Sequence, residues 1–186
     1  MRLVEIAHRK ISECLNPGDL CIDATAGNGH DSLFLAKQVA PDGVVFAIDV
    51  QKTALEKTVE RLRLYGYEKN LRTLHGSHAD ITELFNSPGK ENITVAMYNL
   101  GYLPGGDHSI VTKSCSTMEA LLKTYGMIRT EGIISVLCYR GHKGGKEETS
   151  EIIKLCQIQR WETEMISGND NPDSPLLILI RKIRMD

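Results

Sequence analysis

No stretch of this chain approaches the ~20 apolar residues that a membrane-crossing helix needs, so no membrane segment is expected. The opening residues, Met1-Arg2-Leu3-Val4-Glu5, lack the uninterrupted apolar segment of a secretory signal. Cysteines at metal-binding spacing are missing too. The five cysteines stand at 14, 21, 115, 138 and 156, an odd number without a CxxC pair. That argues against a disulfide framework or a structural zinc site. Cys21 and Cys138 lie inside apolar runs and read as small core residues. A reducing cytoplasm is the expected compartment. A strong charge of either sign is also absent: 22 basic and 24 acidic residues leave −2 over 186 residues. A generally basic nucleic-acid-binding chain is thereby excluded, but a local basic patch is not. The chain shows no internal repeat, low-complexity tract or linker.

What is present is a regular alternation of apolar runs and helical stripes. Apolar residues make up 41% and charged residues 25%, a globular composition. The length suits one domain over 1–186 with one core. Residues 3–15 read as a helix stopped by Pro17-Gly18, and Leu20-Cys21-Ile22 as a first strand. A helix over 30–39 leads to Val44-Val45-Phe46-Ala47-Ile48, a continuous apolar run typical of a strand buried on both faces. Leu55, Val59 and Leu62 mark a helix over 52–65, followed by strands at 71–74 and 93–98. Met118, Leu121, Leu122 and Tyr125 mark the next helix, and Gly132 opens a strand over 133–138. Ile152, Leu155 and Cys156 lie on the last helix, and two strands near 160–167 and 176–182 follow. Alternating strands and helices imply an α/β fold with a parallel sheet. The last two strands are joined by a short loop, so the final one should run antiparallel to its neighbour. The expectation is a Rossmann-like, largely parallel seven-stranded sheet with one antiparallel strand and helices on both faces, as in class I methyltransferases.

The first polar loop is Asp23-Ala24-Thr25-Ala26-Gly27-Asn28-Gly29-His30-Asp31. Gly27 and Gly29 allow a tight turn and close approach of backbone to a ligand. The helix that follows offers free N–H groups and a positive dipole end. S-adenosylmethionine carries a carboxylate, an ammonium and a ribose that such a loop can hold. Asp23 can bond the ammonium, and Asp49, ending the second strand, can accept both ribose hydroxyls. Ala26, Asn28, Asp31 and Gln51 complete this candidate cofactor set. A dinucleotide site is the alternative, but the third glycine of GxGxxG would fall at Ser32. His78-Ala79-Asp80 follows the third strand and would lie beside adenine. Asp80 can equally cap the helix that starts near Ile81.

The second loop is Asn99-Leu100-Gly101-Tyr102-Leu103-Pro104-Gly105-Gly106-Asp107. Asn99 ends the fourth strand, where the transferable methyl should point, and it borders cofactor and acceptor alike. Its carbonyls can accept N–H bonds from an amine nucleophile and so aim its lone pair. Tyr102 and Pro104 offer an apolar wall on which a base can stack, and Gly105 belongs to the same candidate substrate-binding set. Asp107 and His108 are candidate proton acceptors. The bland alternative is a turn-rich connection. The third loop, Tyr139-Arg140-Gly141-His142-Lys143-Gly144-Gly145-Lys146, should face the second. Arg140, Lys143 and Lys146 can hold phosphates, while Tyr139 and His142 can line the acceptor pocket. A solvated loop with incidental charge is the alternative. Trp161 and Phe85 read as core, and Arg181, Lys182 and Arg184 as a solvated end. No metal-ligand cluster is visible.

Four stretches resemble one family: DATAGNGHDSLFLA at 23–36, Ala47-Ile48-Asp49, NLGYLPGGDH at 99–108 and YRGHKGG at 139–145. The first is common among methyltransferases; the last two together are far more specific. The family is the small proteins labelled rRNA methylases and associated with tRNA 5-aminomethyl-2-thiouridine methyltransferase activity. The resemblance implies S-adenosylmethionine-dependent methylation of an aminomethyl group on the wobble uridine, with the tRNA anticodon stem-loop as partner. An rRNA methyltransferase, a small-amine N-methyltransferase and a non-catalytic binding module are the alternatives. A homodimer would add RNA-binding surface, but nothing in the sequence demands one.

Overall fold

The computed structural model describes residues 2–85, 92–101, 112, 114–169 and 171–184. Seven strands form one sheet in the order β3-β2-β1-β4-β5-β7-β6. They are β1 (Leu20–Asp23), β2 (Val44–Asp49), β3 (Leu71–His75), β4 (Ile93–Leu100), β5 (Ile128–Cys138), β6 (Glu162–Ser167) and β7 (Leu176–Arg181). β7 runs antiparallel to both β5 and β6, as the short connection between the last strands requires. The other pairings, β1 with β2 and β4, β2 with β3 and β4 with β5, are parallel.

The helices are α1 (Leu3–Ser12), α2 (His30–Val39), α3 (Lys52–Leu64), α4 (Ser114–Met127) and α5 (Gly145–Ile158), with a 3-10 helix over His78–Leu84. Strand side chains alternate between the two faces. Cys21, Val45, Ala47, Val95 and Met97 point to one side, where Leu35 and Ala36 of α2 and Leu62 of α3 close over them. Ile133, Leu137, Leu177 and Leu179 extend that face and receive Leu3 and Ala7 of α1. Ile22, Ala96, Tyr98, Ile134, Val136 and Ile178 point to the other side, under Leu121 of α4 and Ile152 of α5. These side chains are almost fully buried, and each Val, Leu, Ile and Met among them contributes on the order of 2 kcal/mol of hydrophobic stabilisation. Tyr98 brings a hydroxyl into this core and satisfies it on Thr124 at 2.6 Å. Trp161 stacks on Tyr125 at 4.4 Å as a core residue, and the partly buried Phe85 tilts against Phe46 at 4.8 Å at the edge of the core.

Several boundaries differ from the sequence pattern; α1 ends at Ser12 rather than at residue 15, and β4 runs on to Leu100. β5 begins at Ile128 rather than near Gly132, because the intervening Arg129, Thr130 and Glu131 are polar and lie at the wet end of the strand. Glu131 has φ 66° there, and the pairing with β4 shifts register between Ile93 and Val95. The helix expected from Ile81 is a 3-10 helix that starts at His78. Among the described residues, no helix is long and apolar enough to cross a membrane.

Candidate active site

Strand order reverses direction between β1 and β4: the chain moves from β1 outward to β2 and β3, then returns to β4 on the other flank. A crevice opens at the carboxyl ends of strands at such a switch point. Asp23, Asp49, Asn99 and Tyr139 stand at or just beyond the ends of β1, β2, β4 and β5, so the topology gathers them on one edge.

The first loop is fixed from both sides. Ala24 N–H donates to the Met97 carbonyl and Ala26 N–H to the Ile48 carbonyl, each at 2.9 Å. Arg61 Nε of α3 reaches the Asn28 carbonyl at 2.6 Å. Gly29 is the N-cap of α2 with φ 76°. A Cβ there would sit 2.8 Å from Thr58 Cα, so the loop passes α3 at a distance that only glycine permits. Asp49 accepts Gly27 N–H through Oδ2 and Gln51 N–H through Oδ1, both at 2.9 Å. Its carboxylate therefore lies across the loop, half-exposed, with lone pairs left for hydroxyl donors.

Asp23 is fully buried. It accepts the Ser32 hydroxyl at 2.6 Å and Thr25 N–H at 3.3 Å. Burial, and then the neighbouring Asp31 charge, push its carboxyl up to about 7. Asp31 is buried as well, in the first turn of α2. Among the described residues, the ion pairs of these three carboxylates are limited to His8 with Asp31 at 2.7 Å. Among those residues there is no cluster of His, Cys, Asp or Glu that could hold a metal ion. A cationic ligand fits this setting. Buried carboxylates, a glycine-lined approach and a helix N-terminus match a ligand bearing ammonium, carboxylate and ribose. Asp23, Asp49 and the backbone of Gly27 to Gly29 are the groups that would hold it.

The second predicted loop joins the first directly. Asn99 N–H donates to Thr25 Oγ1 at 2.7 Å, and Asn99 Nδ2 donates to Asp31 Oδ2 at 2.5 Å. Tyr102, Pro104, Gly105, Asp107 and His108 lie outside the described residues. Thr112, beyond them, donates its N–H to the Gly101 carbonyl at 3.1 Å. The third loop lies beside this turn. A Cβ on Gly101 would meet Tyr139 Cβ at 3.4 Å and His142 Nε2 at 3.7 Å. Burial and the Asp31 charge both raise the Tyr139 hydroxyl. Asn99, Tyr139 and His142 thus form one neighbourhood.

The cations of that loop turn toward the β6–β7 connection. Arg140 Nε donates to the Ser174 carbonyl at 2.5 Å, and Lys146 pairs with Asp173 at 2.6 Å. Lys143 is exposed. His78 is buried beneath α4, edge-on to Tyr98, and burial lowers its ring to about 4. Asp80 accepts Ser77 N–H at 3.2 Å, capping the 3-10 helix. His8 is absent from the sequence-based site. It lies on α1, stacks on Phe34 with ring centres 3.8 Å apart and bonds Asp31. No local pattern connects position 8 to positions 31 and 99. Thr25 was within reach of the sequence, since it stands inside the glycine loop.

Residues 45–181 match the model of a family described as "Putative rRNA methylase". The tRNA (mnm(5)s(2)U34)-methyltransferase, chloroplastic, of Arabidopsis thaliana is 33% identical, over 97% of this chain and 69% of its own. A crystal structure described as a "putative rRNA-methylase" from Clostridium thermocellum superposes with TM-score 0.90 at 32% identity, covering 97% of both chains. A methyltransferase structure from Streptococcus mutans in complex with SAH gives TM-score 0.85 at 29% identity, covering 98% of this chain and 99% of that one. The chain therefore belongs to this family, and it is a Rossmann-like class I methyltransferase dependent on S-adenosylmethionine.

Proposed function

We propose that the protein methylates the exocyclic amine of a 5-aminomethyl uridine, with or without 2-thiolation, at the wobble position of tRNA. The observation that carries this reading is the place of Asn99. Its amide stands at the end of β4, bonded through its backbone to the cofactor loop at 2.7 Å. An acceptor at that point suits a nucleophile that brings N–H groups. The kind of amine is suggested by the Arabidopsis relative, whose name specifies a tRNA wobble uridine.

When bound, S-adenosylmethionine supplies an electrophilic methyl on a sulfonium. The chain's own residues must present a neutral amine to it, because a protonated alkylamine has no lone pair. Asn99 accepts an amine N–H and holds the nitrogen in line, and such orientation is a large share of what a displacement needs. His142, beside Gly101, and Asp107 are our choices for taking the proton that the amine loses. Tyr139 closes the pocket wall. Arg140, Lys143 and Lys146 would meet phosphates of the anticodon stem-loop. A reducing compartment suits the five free cysteines.

The deciding test is methyl transfer from labelled S-adenosylmethionine to bulk tRNA lacking the terminal wobble methyl, followed by nucleoside mass analysis. A gain of one methyl on 5-aminomethyl-2-thiouridine is expected. The family description favours a second reading, methylation of rRNA. Label appearing in ribosomal RNA but not in tRNA would establish that reading instead.

A further inference from the structure

Asp31 is in the first turn of α2, between the cofactor loop and the end of β4. Both of its oxygens are engaged. Oδ1 meets His8 Nε2 at 2.7 Å, and Oδ2 meets Asn99 Nδ2 at 2.5 Å. An ionised carboxylate only accepts hydrogen bonds. The structure turns the Asn99 NH2 toward one oxygen, and an accepting second oxygen asks His8 Nε2 to carry its N–H. The amide has two ends, so fixing its nitrogen on Asp31 fixes its carbonyl on the opposite side. His8 is itself held flat against Phe34, with an interplanar angle of 3°. α1 is in turn packed on the sheet through Leu3, Ala7 and Ile11.

We infer that His8 and Asp31 are positioning residues that lock the Asn99 side chain with its carbonyl presented to the acceptor amine. α1 is thereby part of the acceptor site rather than only a cover for the sheet. An unlocked amide would flip between donor and acceptor and meet the amine N–H with its own N–H half of the time. The inference rests on the amine-acceptor reading above and deepens it. It explains why a buried carboxylate stands beside Asp23, where its charge is costly: an acceptor with a fixed partner on each oxygen defines one orientation of Asn99.

The test uses the full-length enzyme and four variants. N99D sets two carboxylates face to face, and kcat should fall on the order of 100-fold, the scale of a misplaced reacting group. D31N/N99D restores one amide facing one carboxylate, with an acceptor still presented outward. It should recover at least about tenfold of that loss, with kcat read at saturating S-adenosylmethionine and Tm close to wild type. H8F keeps the ring on Phe34 and removes only the donor, and H8Q supplies a donor without the ring. H8F should lower kcat while KM for S-adenosylmethionine stays fixed, and H8Q should recover part of it. In parallel, the Asn99 side-chain NH2 resonance, assigned by its loss in N99D, should move in H8F and in D31N. A double variant no better than N99D, with both folded and binding SAH, overturns the inference. So does an NH2 resonance that H8F and D31N leave in place. A wild-type enzyme inactive on wobble-hypomodified tRNA would instead overturn the acceptor reading, and the resonance would still decide whether the lock exists.

Discussion

Burial and the Asp31 charge lift the Asp23 carboxyl from 3.8 in an open chain to about 7 in the fold. A raised folded value means that the contribution of this group to stability is complete below about pH 4 and is lost as the pH climbs through 7. A bound ammonium reverses that trend by favouring the ionised form. Below pH 7, cofactor binding must then expel a proton. SAH affinity should rise roughly eightfold between pH 6 and 7.5, following one ionisation near 7. Calorimetry at pH 6.5 in two buffers of different ionisation heat should register the released proton, and Asp23→Asn should abolish the pH dependence. A flat affinity profile would mean that no cation faces Asp23. Gly29 provides a second residue-scale expectation. A Cβ there meets the backbone of α3 at 2.8 Å while φ stays at 76°. Gly29→Ala should cost about 2 to 5 kcal/mol, combining left-handed strain with overpacking, read as a lower urea midpoint.

Elements are held together here by polar groups that the hydrophobic pattern does not reveal. Glu148 lies in the first turn of α5, 4% exposed. Its two oxygens accept the hydroxyls of Thr117 on α4 at 2.6 Å and of Thr112 at 2.7 Å. One carboxylate thus ties α5, α4 and the return of the second loop into one unit. Glu148→Ala leaves two hydroxyls without their acceptor and opens a cavity, for about 2 to 4 kcal/mol. Glu148→Gln keeps one acceptor and the volume, and either threonine can turn its hydroxyl to suit, so most of the loss should be spared. Paired thermal melts of the two variants decide it. The strands themselves were readable because buried parallel strands are continuous apolar runs, as at Val44 to Ile48. α2 was readable because glycine precedes it and Pro41 follows it. The reach of β5 back to Ile128 was not, because Arg129, Thr130 and Glu131 are polar, and the Arg129 side chain that ties this start to Thr94 of β4 at 3.0 Å leaves no apolar pattern. Asp23, Asp49 and Asn99 were visible as the polar residues that end apolar strands. His8 was invisible, since a histidine on an amphipathic helix carries no sign of which strand end the fold will bring beneath it.

At the scale of the whole molecule, the question is how a chain with a net charge of −2 would grip a polyanion. The cations proposed for phosphates are concentrated in one loop, after β5, and that loop is already clamped. Lys146 pairs with Asp173, with both side chains half-exposed, and Arg140 bonds the Ser174 carbonyl. On the proposed reading, the β6–β7 connection would compete with the RNA for these groups. An exposed pair of this kind is worth at most about 1 kcal/mol, weak enough for a phosphate to displace it. If three cations meet phosphates, log affinity should fall against log salt with a slope of about −2 to −3. Lys146→Ala should flatten that slope by about 1, and Asp173→Asn should do the opposite of harm. By releasing Lys146 it should tighten tRNA binding at low salt by up to about fivefold, within the strength of the pair it removes. The gain should vanish in Lys146→Ala/Asp173→Asn, because the second change then has no cation to release. Filter binding of wobble-hypomodified tRNA at four salt concentrations measures both slopes, with SAH affinity as the control that the cofactor site is untouched. An Asp173→Asn variant that binds tRNA as weakly as the Lys146→Ala variant would show that the β6–β7 connection supports the RNA-facing loop rather than competing with it.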